Sequence, residues 1–309
     1  MAQVTDKKTV LIAGPTASGK SAAALAIAER LGGEIVNADA IQVYRDLRIL
    51  SARPTKAETA RAPHRLYGHV DGGVRYSAGE WLRDAEKAIS DIHARGRAAI
   101  IVGGTGLYFR ALEMGLAETP AISPETRDAA ARRFEAIGAA AFRAEILGFD
   151  PAMARLDPAD RQRHVRAWEV FHETGTSLSA FQNAPTKPVV ADAVRLLIMP
   201  PRAALYRAVE ERFDRMLTDG ALEEARALLG RGFDPGLPVM KAVGAAELIV
   251  HLQGALSLGA AVDLARRNSR RFAKRQMTWF RGQAPHWRAV ASAPEAVAAV
   301  GVATHGPGG

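Results

Sequence analysis

A chain of 309 residues, 48% hydrophobic and 24% charged, is long enough to bury its own core as one large domain or as a domain with an insertion. It has no cysteine, which excludes disulfides, cysteine-based zinc sites and thiol nucleophiles, and no apolar run reaches the ~18 residues needed to span a bilayer. Lysine and arginine outnumber aspartate and glutamate by 41 to 33. The net charge of +8 reflects either arginine-biased usage in an alanine-rich chain or a polyanionic partner, and only clustering can separate the two.

The N-terminal MAQVTDKKTV has no signal-peptide-like apolar segment, so the expectation is a cytoplasmic protein without a membrane anchor. Thr9 to Ala13 is a short apolar strand that runs into GPTASGKS: Gly14, Pro15, Thr16, Ala17, Ser18, Gly19, Lys20 and Ser21. The following SAAALAIAERL reads as a helix stopped by Gly32 and Gly33. A strand, this Gly-rich loop and a helix form a P-loop: amides of residues 15 to 20 cradle phosphate oxygens at a helix N-terminus, Lys20 neutralises the terminal phosphate, and the Ser21 hydroxyl ligates Mg²⁺. The motif does not say whose phosphate is held. An NTPase usually places an acid at the end of another strand, and the best such strand here, Ala98 to Val102, ends in Gly103-Gly104-Thr105.

Glu34 to Ala38 reads as a second strand ending at Asp39. Its carboxylate is either a general base beside the bound phosphate or a loop cap or outer-sphere Mg²⁺ ligand. Trp81 to Arg95 has helical spacing and precedes the Ala98 strand. Strands alternating with helices imply a parallel sheet covered on both faces, with ligands beyond the carboxyl ends of the strands. Gly14, Asp39 and Gly103 all follow strand ends and should share one crevice.

Ser123-Pro124-Glu125 is a helix start, and from there to about Gln182 every pattern is helical, with Gly175 ending one helix. Residues 120–188 therefore read as an all-helical insertion, and residues 1–119 with 189–309 as an α/β core whose Ala193 to Met199 strand precedes a helical C-terminal part. Within the insertion Val165, Trp168 and Phe171 form a core stripe on one short helix with Arg161, Arg163, His164 and Arg166. Residues 265 to 281 hold Arg266, Arg267, Arg270, Arg271, Lys274, Arg275 and Arg281 without an acid. That run is either a solvated face or a phosphate-contacting one, with Phe272 and Trp279 expected to pack inward. The Ala/Val/Gly-rich tail after about Ala291 reads as partly mobile.

Together GPTASGKS, NADAIQVYR, SARPT with PHRLYGHVD, IIVGGTGLYFRAL, DRQRHVRAWEV and KRQMTWFR resemble the tRNA dimethylallyltransferases (tRNA isopentenyltransferases), in that family's order over residues 10 to 288. The resemblance implies a P-loop, nucleotide-kinase-like fold and transfer of a dimethylallyl group from dimethylallyl diphosphate to the exocyclic amine of the adenosine beside the tRNA anticodon. It implies that Gly14 to Ser21, Lys20 and Arg212 (with Arg207 an equally basic neighbour) hold diphosphate with Mg²⁺ on Ser21. Asp39 would be the base, Thr105 would lie beside the reacting centre, and Arg127 would support the leaving group. The anticodon stem-loop would meet Asp39, Ala40, Ile41 and Gln42, the stretch Gln162, Arg163, His164, Val165 and Arg166, and Lys274 and Arg275. The chain departs from the pattern at Ala40, where a serine is usual, and at Val243-Gly244-Ala245-Ala246-Glu247, which lacks an aromatic and a basic group, so the resemblance assigns no RNA contact to 241–247. A monomer is the default. Competing readings are an ATP-using small-molecule kinase, a prenyltransferase of free adenine nucleotides, and an RNA-binding module with a vestigial phosphate site.

Overall fold

The computed structural model describes residues 8–302. Six parallel strands, β1 Thr9–Ala13, β2 Glu34–Asn37, β3 His64–Arg65, β4 Ala99–Gly103, β5 Val194–Ile198 and β6 Arg288–Val290, lie in the order β3-β2-β4-β1-β5-β6. β1 is central, with Ala13 opposite Gly103 of β4 and opposite Leu197 of β5. The four strands read from sequence are all present, within a residue of the expected ends. The two edge strands are two and three residues long, too short for any periodicity to show.

The helices fall into place around these strands. Four precede residue 115: α1 Lys20–Leu31, α2 Lys56–Arg61, α3 Ala78–Ala94 and α4 Gly106–Met114. The helices α5 Pro124–Phe149, α6 Arg161–Thr174 and α7 Leu178–Gln182 follow, and then α8 Arg202–Thr218, α9 Ala221–Gly230, α10 Ala245–Leu252, α11 Leu258–Gln283 and α12 Ala293–Val302. Strand alternation sorts the buried side chains to two faces. Leu11, Ala13, Ile101 and Leu197 join Trp81, Phe109, Phe213, Leu248 and Phe280 on one side. Val10, Ile12, Ile100 and Ile198 join Ala24 and Ile27 of α1 and Ala296, Ala299 and Val300 of α12 on the other. α12 corrects the expected mobile tail: alanines too small to mark an amphipathic stripe pack closely against the alanines of α1. Residues 1–7 and 303–309, including the N-terminal segment and the rest of that tail, lie outside the described residues.

The chain divides into two compact units, one of them the continuous stretch Met114–Pro188. Every secondary-structure element lying wholly within it is a helix. It begins at Met114 rather than at the expected Pro120, because the extended segment after α4 is tied to the segment leaving the unit: the Thr186 hydroxyl donates to the Met114 carbonyl at 2.5 Å, and Gly115, at φ 78°, lies against Thr186 and Lys187. Ser123 caps α5 by accepting from the Thr126 amide at 3.2 Å, and Gly138 (φ 75°, ψ 166°) breaks that helix midway. Trp168 is buried among Phe142, Ile146 and Val170. Its indole N–H donates to Glu145 at 2.8 Å and its ring stacks on His172. It packs, as expected, and is not a base-stacking platform.

Candidate active site

The P-loop leaves β1 at Gly14, where a Cβ would sit 2.7 Å from the Ile198 carbonyl oxygen and the Ser18 hydroxyl, so only glycine fits. Ala17 (φ 61°) and Gly19 (φ 86°) take left-handed conformations that curl the loop into α1, with Lys20 its first residue. The expectation that amides 15 to 20 all face phosphate needs correcting. Pro15 has no N–H, the Ser18 amide donates to the Pro15 carbonyl (3.2 Å), and the Thr16 amide donates to the Gln276 side chain (2.8 Å). Ala17, Gly19, Lys20 and Ser21 retain theirs for an anion at the helix start.

Two cations flank this loop. The Lys20 ammonium donates to the Pro15 carbonyl at 3.1 Å. Burial pushes Lys20 down to about 8, partly opposed by the Asp39 carboxylate and reinforced by the Arg212 guanidinium. Arg212, reaching in from α8, donates to the Thr16 hydroxyl, whereas Arg207 is exposed. The loop's arginine is therefore Arg212. Burial also lowers Arg212, and again the Asp39 carboxylate opposes the effect.

Asp39 follows β2 and faces the same charges. Its Oδ1 accepts from the amides of Ile41 (2.9 Å) and Gln42 (3.3 Å), which makes it a turn cap. Oδ2 has no hydrogen bond among the described residues, so capping leaves one oxygen for chemistry. Asn37 fixes the turn from both sides, accepting from the Asp39 amide and donating to the Asp39 carbonyl, each at 2.9 Å. The Thr105 amide donates to the Ala38 carbonyl (3.2 Å), and the Thr105 hydroxyl accepts from the Ala40 amide (2.9 Å). The turns after β2 and β4 thus meet, and glycines permit it: a Cβ at Gly103 would overlap the Ala38 backbone, one at Gly104 would lie 3.3 Å from the Gly14 carbonyl oxygen of the P-loop, and one at Gly106 would overlap the Trp279 ring of α11. The Gln42 side-chain NH₂ is spent on the Ser51 (2.8 Å) and Ala52 (3.2 Å) carbonyls. Ala40 and Ile41 pack partly into the core.

Sequence reasoning missed Gln276. It is buried in α11 beside Ala273, Met277 and Phe280, accepts from the Thr16 amide, and donates to the Gly104 carbonyl at 2.9 Å. One side chain thereby ties the P-loop to the GGTG turn. A polar residue at an inward position of a helix was the available signal.

The basic segments sort by their partners. Arg266 pairs with Asp214 of α8 at 2.5 Å and with Asp263 of its own helix at 3.5 Å, and Arg270 pairs with Glu210 of α8. Arg267, Arg271, Lys274, Arg275 and Arg281 are exposed and make no salt bridge among the described residues. Phe272 is not buried as expected, and Arg275 lies over its ring at 5.6 Å. Trp279 does pack, against Gly106. In α6, Gln162 and Arg163 are exposed and Val165 is half-buried. Arg166 donates to the Thr119 hydroxyl at 2.9 Å. His164 is 2% exposed, which corrects its assignment as an RNA contact: the helix turns it into the core of its unit. Arg127 lies on the first turn of α5, where its charge acts on Glu173. Glu247 of the departing VGAAE segment is buried and structural, accepting from the Gly244 amide and the Asn268 side chain, each at 2.7 Å.

A parallel sheet, a P-loop at the end of its central strand and a carboxylate at the end of its neighbour's partner strand define a P-loop α/β phosphate-binding protein. Comparison with known proteins narrows this class. The IPP transferase family profile matches residues 42–283. The tRNA dimethylallyltransferase of Phenylobacterium zucineum is 54% identical over 278 residues, covering 90% of each chain. That of Maricaulis maris is 53% identical over 280 residues, covering 90% of this chain and 91% of the relative. The crystal structure of the Bacillus halodurans tRNA isopentenylpyrophosphate transferase aligns with TM-score 0.70 at 31% identity, covering 97% of this chain and 96% of that one. A eukaryotic dimethylallyltransferase captured acting on tRNA aligns with TM-score 0.74 at 28% identity, covering 89% of this chain and 70% of that one. This chain belongs to the IPP transferase family. Among the described residues no helix is long and apolar enough to cross a membrane.

Proposed function

We propose that this protein transfers a dimethylallyl group from dimethylallyl diphosphate to the exocyclic amine of the adenosine beside the anticodon of tRNA, releasing diphosphate. The observation that carries the reading is the sharing of one crevice by Asp39, Lys20, Arg212 and the P-loop in a chain of this family. The donor's diphosphate lies on the amides of Ala17, Gly19, Lys20 and Ser21, with Lys20 and Arg212 against its oxygens. The carbon–oxygen bond of the donor breaks and its electron pair stays on the bridging oxygen, where these cations stabilise the growing charge. The new bond forms from the adenine amine, whose lone pair is delocalised and weakly nucleophilic. Oδ2 of Asp39 takes the amine proton as the bond forms, while Oδ1 remains pinned by two amides. Thr105, whose oxygen already accepts from Ala40, keeps its hydroxyl proton to donate beside the reacting atoms. Because the bond broken is carbon to oxygen, no water needs alignment against phosphorus, which accounts for the absence of an acid after β4.

The residues present fit Mg²⁺ held through a substrate. The exposed Ser21 hydroxyl makes no hydrogen bond among the described residues, and those residues include no cluster of three or more His, Cys, Asp or Glu side chains. Mg²⁺ would bind through Ser21, diphosphate oxygens and water, and would supply positive charge to the leaving group. Arg127 is assigned to the reaction on the family pattern alone. For tRNA we assign the exposed Gln162, Arg163, Lys274 and Arg275, the Arg166 helix face, and the Asp39 to Gln42 turn. The protein acts as a monomer in the cytoplasm.

Radiolabelled dimethylallyl diphosphate tests the reading. Label should pass to tRNA bearing adenosine beside its anticodon, and Asp39→Ala should cut turnover by about 10²-fold or more. Consumption of ATP without labelling of tRNA would establish a kinase instead.

A further inference from the structure

The segment between β2 and β3, which ends in α2, carries cationic side chains that the transfer reaction leaves unused. Arg48, Arg53 and Lys56 line an open cavity of 230 Å³ together with Pro54, Thr59 and Tyr67. The lining holds two hydroxyl groups and no carboxylate. None of the three cations makes a salt bridge among the described residues, whereas nearby Arg61 and Arg65 pair with Glu29 and Glu34.

The nearest acids are engaged elsewhere: Glu58, which lines the adjoining hollow with Pro54 and Tyr67, accepts from the Thr55 amide and hydroxyl, each at 2.8 Å. Glu224 accepts from the amides of Arg48 (2.6 Å), Ile49 (2.8 Å) and Leu50 (2.8 Å). Asp46 holds Arg231 and the Gly72 amide, each at 2.8 Å. Arg53 is the half-buried member. Its Nη2 donates to the Arg45 carbonyl at 3.3 Å, its guanidinium lies where a Cβ at Gly68 would be, and its buried Nε has no acceptor. Glu224 and Asp46 act on Arg53 only at a distance, and a partly desolvated guanidinium with an unspent N–H and no salt bridge is costly unless an anion completes it.

The cavity adjoins the reaction crevice. Tyr67 and Pro54 also line a smaller hollow with Ser21 and Val102. Burial raises the Tyr67 phenol, and the Asp39 carboxylate raises it further, so Tyr67 stays a neutral hydrogen-bond donor between the two sites.

We propose that Arg48, Arg53 and Lys56, with the Tyr67 hydroxyl, form a second phosphate-binding site beside the P-loop. Resting on the transfer reaction proposed above, this site takes a phosphate of one of that reaction's participants. The group is either a phosphodiester of the tRNA backbone near the reacting adenosine or the diphosphate on its way out. A guanidinium fork and an ammonium suit both sources. The site neither breaks nor makes a covalent bond. It anchors an anion.

The experiment compares the full chain with the Arg48→Ala/Lys56→Ala double variant, both exposed side chains, and with Arg53→Lys, which keeps the charge but loses the fork. Thermal unfolding of each variant verifies the fold. One arm measures tRNA affinity across a salt series, and the other measures competitive inhibition by inorganic diphosphate against the prenyl donor. A phosphodiester source predicts a tRNA dissociation constant raised roughly 5- to 10-fold in the double variant. The log–log salt slope should flatten by about 0.7–0.9 for each phosphate no longer neutralised, with diphosphate inhibition unchanged. A diphosphate source predicts an inhibition constant raised several-fold with tRNA binding unchanged. If both variants match wild type in both arms, the second site does not exist. A wild-type protein that fails to label tRNA sinks the transferase reading instead, and direct binding of tRNA and inorganic diphosphate to the variants still decides the site.

Discussion

Lys20 sits in the P-loop with a charge that depends on pH within the working range of an enzyme. Burial holds it at about 8, below the ordinary lysine value of 10.5. Below about pH 8 it is an ammonium and attracts diphosphate; as pH rises through that value the attraction is lost. The KM for the prenyl donor should therefore rise above pH 8, by up to about tenfold per unit, in a steady-state pH series, and Lys20→Met should flatten that rise while binding donor poorly throughout. Gln276 makes a different prediction. Gln276→Leu keeps the side chain's bulk but strands the Thr16 amide and the Gly104 carbonyl, at a cost of about 1–3 kcal/mol. The expected result is a donor KM raised roughly 5- to 100-fold with a smaller change in kcat, and Gln276→Glu, which keeps the acceptor for Thr16, should recover part of the loss. Lys20, Ser21 and Asp39 are legible in sequence because a motif or a strand end points to them. Gln276 is not, because its partners lie 260 and 172 residues away and nothing local marks the contact.

The turns after β1, β2 and β4 are the elements on which the site stands. Their convergence is readable, since each apolar run stops at a glycine or an acid and parallel strands must end on one side. Their intimacy is not: GGTG announces flexible backbone, whereas here the glycines serve close approach. At Gly103→Ala the new methyl meets the Ala38 backbone and must push apart the turns that hold Asp39 and Thr105. We expect a loss of about 1–3 kcal/mol in urea denaturation, together with a fall in kcat larger than the change in donor KM. The basic helical segments are only partly legible, for one physical reason. A run of arginines shows its charge in sequence but not the acids of another helix, so Arg270 looks unpaired until Glu210 of α8 comes beside it, and Arg266 shows only its i,i+3 neighbour Asp263 and not Asp214.

At the scale of the whole molecule the sheet is closed on one face by two alanine-rich helices, one from each end of the chain. α12 buries Ala296, Ala299 and Val300 on α1, and Arg30 donates to the Val297 carbonyl at 2.6 Å. Ending the chain at Ser292 should cost on the order of 2–4 kcal/mol by uncovering that face. Chemical denaturation would register it, and an unchanged midpoint would show that α12 is dispensable. The same scale gives α11 a double character. Lys274 and Arg275 face solvent, while the next residue, Gln276, grips the phosphate loop from within. A mutational scan of this helix will therefore not divide cleanly into positions for affinity and positions for turnover. A substitution at the proposed RNA-facing positions Lys274 and Arg275 can also shift the hydrogen bonds by which Gln276 holds the phosphate loop and the GGTG turn, so changes aimed at one proposed substrate site will be felt at the other.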